Sequence, residues 1–393
     1  MEKVKYKYSL DNRIDYGIIL PVFVLSLMGL AALYAALSND QMTKDIMTPM
    51  LKQLLWILIG AIAVVILMQF SSKMLWKITP FVYLMGLGLM TSLIWFHDEN
   101  LAALTGSKNW FNFGGFTFQP SELMKIAYIL MLAYVVTKHN LKHLHTIKND
   151  FLLIGKLIIF TIPIVILLQF QKDLGTMLVY VAILGGVFLL SGISWKIVLP
   201  TIIVFILLAA GILYLVTQDA GREFLFSMGV KQYQLARIDS WIDPFHDATG
   251  NSMQQAQALI AIGSGGMFGK GFNVSEVYVP VRESDMIFTI IGENFGFVGG
   301  TLMILMYFIL IYRMIRVCFD TNNEFYAYIA TGIIMMILFH VFENIGSNIG
   351  LLPLTGIPLP FVSQGGSSLL GNLIGVGIVM SMRFQQDDYQ KFR

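Results

Sequence analysis

Charged side chains at the edges of long apolar runs are the residues here best placed to do chemistry. Asp285 closes the polar segment Val281-Arg282-Glu283-Ser284-Asp285 and is followed at once by Met286-Ile-Phe-Thr-Ile-Ile. A carboxylate in that position can cap the helix that follows, a role worth about 1 kcal/mol. It can also take a proton from a hydroxyl as a general base. Taken alone, the cap is the commoner role. Glu293 stands eight residues on, so Asp285, Thr289 and Glu293 fall along one helical face and place a carboxylate well within an apolar span. Such a stripe needs polar company, and His340, Asn344 and Asn348 recur at i, i+4 and i+8 with Glu343 and Ser347 beside them. A proton-relay lining and a packing network that satisfies buried polar groups both fit that spacing.

A second charged pair lies upstream. The loop Gly106-Ser-Lys-Asn-Trp110 leads to Phe118-Gln-Pro-Ser-Glu122-Leu-Met-Lys125, with Pro120 where a helix starts and Glu122 in its first turn. Lys125 follows Glu122 at i+3 inside an otherwise apolar run, where an unpaired ammonium costs several kcal/mol. The two are expected to pair, either as a structural ion pair or as a pair that also shapes a polar cavity. Asp173, in Gln171-Lys-Asp173-Leu-Gly175-Thr176, reads first as an acid at a tight turn. The glycine-rich run from Ala261 to Gly271 superficially resembles a phosphate loop, but Lys270 is not followed by Ser or Thr. Close backbone approach is the reading its glycines favour.

The elements that must hold these residues are membrane helices. Of 393 residues 56% are hydrophobic and only 13% charged, and the mean hydropathy is +0.71. A soluble domain carries about a quarter charged residues. Uncharged apolar windows predict an all-α integral membrane protein of about ten transmembrane helices, near Tyr16–Leu37, Leu54–Phe70, Ile78–Phe96, Ser121–Val136, Leu152–Phe170, Leu174–Gly192, Ile197–Val216, Met286–Ile311, Tyr326–Asn344 and Ser367–Met382. The first is expected to be retained, since it lacks a small-residue cleavage site and is too long for a signal segment. Lys3, Lys5, Lys7, Arg13, Lys73, Lys77, Lys138, Lys142, Lys148, Arg313, Arg316, Arg383, Lys391 and Arg393 then share one side, which the positive-inside rule makes the cytoplasm. Both termini fall there, and Thr217–Asp285 becomes a large extracellular loop between helices 7 and 8. Its Trp241 and apolar stretches predict that it folds back on the membrane surface. No internal repeat or pair of broken helices marks an inverted-repeat transporter, so residues 1–393 read as a single polytopic membrane domain. A net charge of +2 with scattered basic residues excludes a nucleic-acid partner. The single cysteine, Cys318, excludes an intrachain disulfide. Irregular backbone is required from Pro353 to Ser368, which carries three prolines and three glycines and must line a cavity or lie buried.

Five segments, in order and spacing, resemble the SEDS (FtsW/RodA/SpoVE) family of peptidoglycan glycosyltransferases. They are the Trp110 loop with Gln119-Pro-Ser-Glu122-x-x-Lys125, Asp173-Leu-Gly-Thr176, Gly263-Ser-Gly-Gly-x-x-Gly-Lys-Gly271, Asp285-x-Ile-Phe-x-x-Ile-Gly-Glu293, and Pro360-Phe-x-Ser-x-Gly-Gly-Ser-Ser368. Gly356-Ile-Pro-Leu-Pro360 and the closing Gly377-Ile-Val-Met-Ser-Met are closer to the RodA branch of cell elongation than to the FtsW branch of division. This chain departs from the family pattern in having Lys172 for a proline, Val281 and Asn294 for acids, and Gln364 for a tyrosine.

The resemblance implies an enzyme of the bacterial cytoplasmic membrane. Its substrate would be lipid II, a disaccharide-pentapeptide on undecaprenyl pyrophosphate, joined into glycan strands at the outer face with inversion. Its partner would be a class B penicillin-binding transpeptidase. Asp285 would be the catalytic base, with Trp110, Asp173, Glu293 and Ser363 among substrate-binding positions. Pyrophosphate leaves readily once its charge is neutralised, so one carboxylate with cations should suffice. Lys108, Lys125, with its partner Glu122, Lys270 and Arg282 are the cations on offer, and a magnesium or manganese ion on Asp285 is the alternative. A division-type polymerase is the nearest rival reading. A lipid II flippase, with the same polar residues as a pathway, is the more distant one.

Overall fold

The computed structural model describes residues 14–40, 45–114, 116–230, 232–248, 250 and 252–384. Lys3, Lys5, Lys7, Arg13, Lys391 and Arg393 of the basic set lie outside the described residues. In chain order the helices begin with α1 (Tyr16–Ser38), α2 (Met47–Leu67), α3 (Ser72–Phe96) and the short α4 (Glu99–Thr105). An antiparallel hairpin follows, β1 (Phe111–Phe113) with β2 (Phe116–Phe118), in which Phe111 faces Phe118. Then come α5 (Pro120–Asn140), α6 (Ile147–Gln171), α7 (Leu174–Leu190), α8 (Trp195–Thr217), three short helices α9 (Asp219–Ser227), α10 (Gln232–Ile242) and α11 (Met253–Ser264), and finally α12 (Ile287–Asp320), α13 (Glu324–Asn348) and α14 (Gly366–Phe384). Among the described residues nine helices are long and apolar enough to cross a membrane, and α7, at 17 residues, is a shorter apolar tenth. Each expected span is therefore a helix. The expected ends fell short where charge interrupts an apolar window but not the helix: α2 starts at Met47 rather than Leu54, continuing through Lys52 and Gln53, and α12 runs past Arg313 and Arg316 to Asp320. The hairpin was not anticipated, since strands of three residues leave no periodic signal.

The bundle is built around α5, which is buried along nearly its whole length and packs against α3, α13 and α14. Its Tyr128 hydroxyl meets Thr161 of α6 at 2.7 Å. At the end remote from Asp285, the starts and ends of three helices are tied together, because Asp15 caps α1 and also pairs with Arg313 of α12 at 3.0 Å and with Arg383 of α14. By contrast α8 stands off the bundle with only Val198 and Val216 buried, and exposes Val204, Phe205, Leu207 and Leu208. Apolar side chains on such a face need lipid as their solvent.

Helix α12 is broken at Gly296, whose φ of 61° and ψ of −157° belong to a region essentially reserved for glycine. The break frees backbone groups of α12, which must find partners. The glycine-rich run supplies them: Lys270 and Gly271 N–H donate to the carbonyls of Glu293 and Asn294 at 2.9 and 3.1 Å, and Phe297 N–H donates to Gly266 at 2.9 Å. A Cβ on Gly269 would lie 2.1 Å from the Asn294 carbonyl, so the glycines are there for close backbone approach.

Candidate active site

Asp285 lies just ahead of α12 but does not cap it: Met286 holds the cap position and no side-chain cap bond is made. The expected capping role is therefore absent, and the carboxyl is left to other work. What holds Asp285 is its backbone, whose carbonyl accepts from Asn344 Nδ2 at 2.8 Å and Asn348 Nδ2 at 2.9 Å, both on α13. Asn344 also donates to the Ile357 carbonyl at 2.8 Å, which fixes the irregular Pro353–Ser368 backbone against the same point. The packing-network reading of this α13 stripe is the one the geometry shows for Asn344 and Asn348. Asp285 Oδ1 is enclosed with no hydrogen-bond partner among the described residues. Burial pushes the carboxyl up to about 6; its own backbone N–H opposes the rise, Glu283 adds to it, and Arg237 opposes it.

That carboxyl opens on a cavity of about 500 Å³. Opposite it, Lys125 is 1% exposed and pairs with Glu122 at 2.8 Å, as its spacing predicts. Lys125 Nζ also donates to His340 Nε2 at 3.0 Å. Since His340 Nδ1 lies 2.6 Å from the Met336 carbonyl, which can only accept, the proton is on Nδ1 and Nε2 is free to receive the ammonium. Trp110 and Asp173 line the cavity as well. Asp173 is fully engaged, accepting from Thr176 N–H at 3.0 Å as the cap of α7 and from Asn109 and Gln119 amides at 2.6 and 3.1 Å. It therefore positions the Trp110 loop and α5 rather than standing free.

Other residues named from sequence lie elsewhere. Glu293 is 0% exposed and pairs with Arg282 and with Lys270 at 3.3 Å, while the N–H groups of Glu276 and Val277 donate to it at 2.9 and 3.2 Å. Arg282 also reaches Thr289 Oγ1 at 3.3 Å. The stripe thus turns toward the glycine-rich loop, not toward Asp285, because the helix starts at Ile287 and the chain bends away before it. Arg282, Lys270 and Glu293 form a clamp on that loop and do not line the cavity. Ser363 is buried, donating to the Ser284 carbonyl at 2.6 Å and accepting from Leu359 N–H at 2.9 Å, which anchors the residue before Asp285. Lys108 is exposed outside the cavity, and its backbone N–H donates to the Gln171 carbonyl at 2.9 Å.

Two contributors were missed. Arg237 of α10 reaches the cavity from the long loop, held by the Leu354 and Thr355 carbonyls at 3.2 and 3.4 Å. Its only sequence signal is a position on a short amphipathic helix. An apolar groove of about 660 Å³ joins the cavity at Asp173, Gly175, Arg237 and Thr355, lined by Leu178 of α7, Ile212 and Val216 of α8, and Leu225 and Leu235 of the loop. It exists because α8 stands apart, which no hydropathy window reveals.

The family model FTSW_RODA_SPOVE, described as cell cycle protein, matches residues 16–388. The chain is 32% identical to the stage V sporulation protein E of Bacillus subtilis, over 94% of this chain and 96% of that protein. It is 31% identical to the peptidoglycan glycosyltransferase MrdB of Escherichia coli, over 83% of each. A solved chain from a peptidoglycan synthase complex that coordinates polymerization and crosslinking superposes with a TM-score of 0.75 at 23% identity, over 95% of this chain and 98% of that one.

Proposed function

This chain belongs to the FTSW_RODA_SPOVE family of cell cycle proteins, and from that membership and the Asp285 cavity we propose that it is a membrane-embedded peptidoglycan glycosyltransferase that joins lipid II units into glycan strands. The observation that carries the reading is a half-buried carboxyl with one unpartnered oxygen, facing a cavity that also holds the cations Lys125 and Arg237. Asp285 takes the proton of the acceptor hydroxyl, whose oxygen bonds the anomeric carbon as the bond from that carbon to pyrophosphate breaks, inverting the centre. Lys125 and Arg237 offset the charge that grows on the departing pyrophosphate. The adjoining apolar groove suits the polyprenyl chain. Among the described residues no three His, Cys, Asp or Glu side chains cluster to hold a metal ion. Asp285 alone does not make a metal site. The test is purified protein with labelled lipid II: the reading requires glycan polymer on a gel, and its absence from folded protein with its partner present would refute it.

The finer assignment is to cell elongation, on Gly356-Ile-Pro-Leu-Pro360 and Gly377-Ile-Val-Met-Ser-Met. Expression should restore rod shape to cells lacking their elongation polymerase and not septation to cells lacking the division enzyme; the reverse result would reassign it. The partner in this reading is a class B penicillin-binding transpeptidase, a choice supported by the match to a chain of a two-activity synthase complex. The long loop and Asp285 face outward and the Asp15–Arg313–Arg383 cluster faces the cytoplasm, by the basic-residue bias. An impermeant thiol reagent on intact spheroplasts is then expected to label an Asp243→Cys variant on the exposed loop and to miss Cys318 near the far end of α12. The opposite pattern would invert the orientation.

A further inference from the structure

Beside the Asp285 cavity lies a second pocket, of about 250 Å³, that none of the chemistry above uses. The two share Trp110, Ser284, Gln364 and Gly365, so Ser284, the residue before the base, stands at their junction. The pocket is walled by Trp56 of α2 on one side and Trp110 on another, with the Glu283 carboxylate, the Gln364 side chain, Lys52 and Thr117 around it. Phe116 of β2, which is exposed, lines it as well.

A tryptophan near the end of a membrane helix is ordinarily an interfacial anchor, but Trp56 stands midway along α2. Its indole is set against the Gly366 backbone so tightly that a Cβ there would fall 2.2 Å from the ring. Gln53, one turn earlier, is buried and ties the same helix to the loop, donating to the Ser363 carbonyl at 3.3 Å and accepting from Gly365 N–H at 3.4 Å. The Glu283 backbone is likewise fixed, its carbonyl accepting from Gln364 N–H at 2.9 Å. Aromatic faces and a few polar groups are thus presented from a rigid frame, which is the anatomy of a small-molecule subsite.

The chemistry selects the ligand. A carboxylate opposed by one lysine is a poor host for pyrophosphate, which the Lys125 and Arg237 cavity serves better. Two indoles leave too much polar rim for a polyprenyl chain. A pyranose ring fits both features: its C–H faces pack on aromatic rings, and its hydroxyls donate to a carboxylate and an amide. We infer that this pocket is a saccharide subsite that holds sugar rings of the growing glycan strand, with Trp56 and Trp110 against the ring faces and Glu283 accepting from hydroxyls. The strand then leaves past the hairpin residues Phe116 and Thr117, away from the apolar groove, which shares no lining residue with this pocket. This inference rests on the glycosyltransferase reading and adds to it where the product lies.

The test separates binding from turnover. The Asp285→Asn protein, in detergent, is titrated with a β-1,4-linked N-acetylglucosamine tetrasaccharide, which has no lipid, pyrophosphate or peptide, and tryptophan fluorescence is followed. A saturable change is expected, with affinity lowered about tenfold or more by Trp56→Leu and by Glu283→Gln in the same background. Thermal unfolding of each variant checks that the fold survives; Glu283→Gln, which removes no buried ring, keeps the test open should Trp56→Leu unfold. In the active protein, Glu283→Gln is expected to shorten the strands released. Equal binding by parent and both folded variants, or no binding by the folded parent, would overturn the subsite. Should that happen while polymerisation persists, only the subsite fails; if no polymer forms at all, the glycosyltransferase reading fails first.

Discussion

Replacing Asp285 by Asn is expected to cut lipid II polymerisation by about 10²- to 10⁴-fold, the range a positioned general base contributes. The change is nearly isosteric and leaves untouched the backbone carbonyl that Asn344 and Asn348 hold, so the loop geometry should survive. Stability should hold or rise at neutral pH. The sign follows from the raised carboxyl: a group whose folded pKa lies above 3.8 favours the fold only where it is protonated, and that favour is lost as pH climbs toward about 6. Above that range the ionised, half-buried Asp285 weighs against folding, and Asn removes the burden. A variant that melts no lower than its parent yet makes no polymer would separate catalysis from structure. Polymer at the parent rate would mean that the base is another group. Asp285→Glu should keep only a trace of activity, because displacing a base by about 1 Å can cost about 10²-fold.

The second large effect is expected at Lys125. Buried at 1% exposure, it answers both Glu122 at 2.8 Å and His340 at 3.0 Å. Lys125→Ala leaves the buried Glu122 carboxylate in the first turn of α5 without its cation, and removing one partner of a buried pair typically costs about 3–5 kcal/mol. The double change Glu122→Gln with Lys125→Met should fold better than the single one, since no lone charge remains. It should still polymerise poorly, because Lys125 is one of the two cations, with Arg237, that line the cavity. Thermal unfolding of the single and double variants in detergent decides the matter: equal losses would show that the pair is not coupled.

These residues differ in how far the sequence announced them. Glu122 and Lys125 could be paired from spacing alone, because i, i+3 neighbours on one helix meet wherever the helix goes. Glu293 could not be placed the same way. Counting it onto the face of Asp285 assumed a helix running through both, whereas α12 begins at Ile287 and Arg282 folds back to claim Glu293. The ten spans were legible because hydrocarbon demands long uncharged runs, and their ends were not, since Lys52 and Arg313 sit inside helices whose polar ends reach water. Arg237 and the Trp56 pocket depend on contacts between segments distant in the chain, to which local pattern is blind. The glycine-rich run signals close approach by its composition, and the kink at Gly296 is what it approaches.

The central claim is that Asp285 acts as the base, and the rate of polymerisation as a function of pH tests it most directly. With its carboxyl held up to about 6 by burial, the rate of the parent protein at low lipid II should be level near neutral pH and fall about tenfold per unit below about 6. The protein must be shown to stay folded across that range. A profile that stays level down to about pH 4 while the protein remains folded would contradict the account, since a base buried as Asp285 is would by then be protonated.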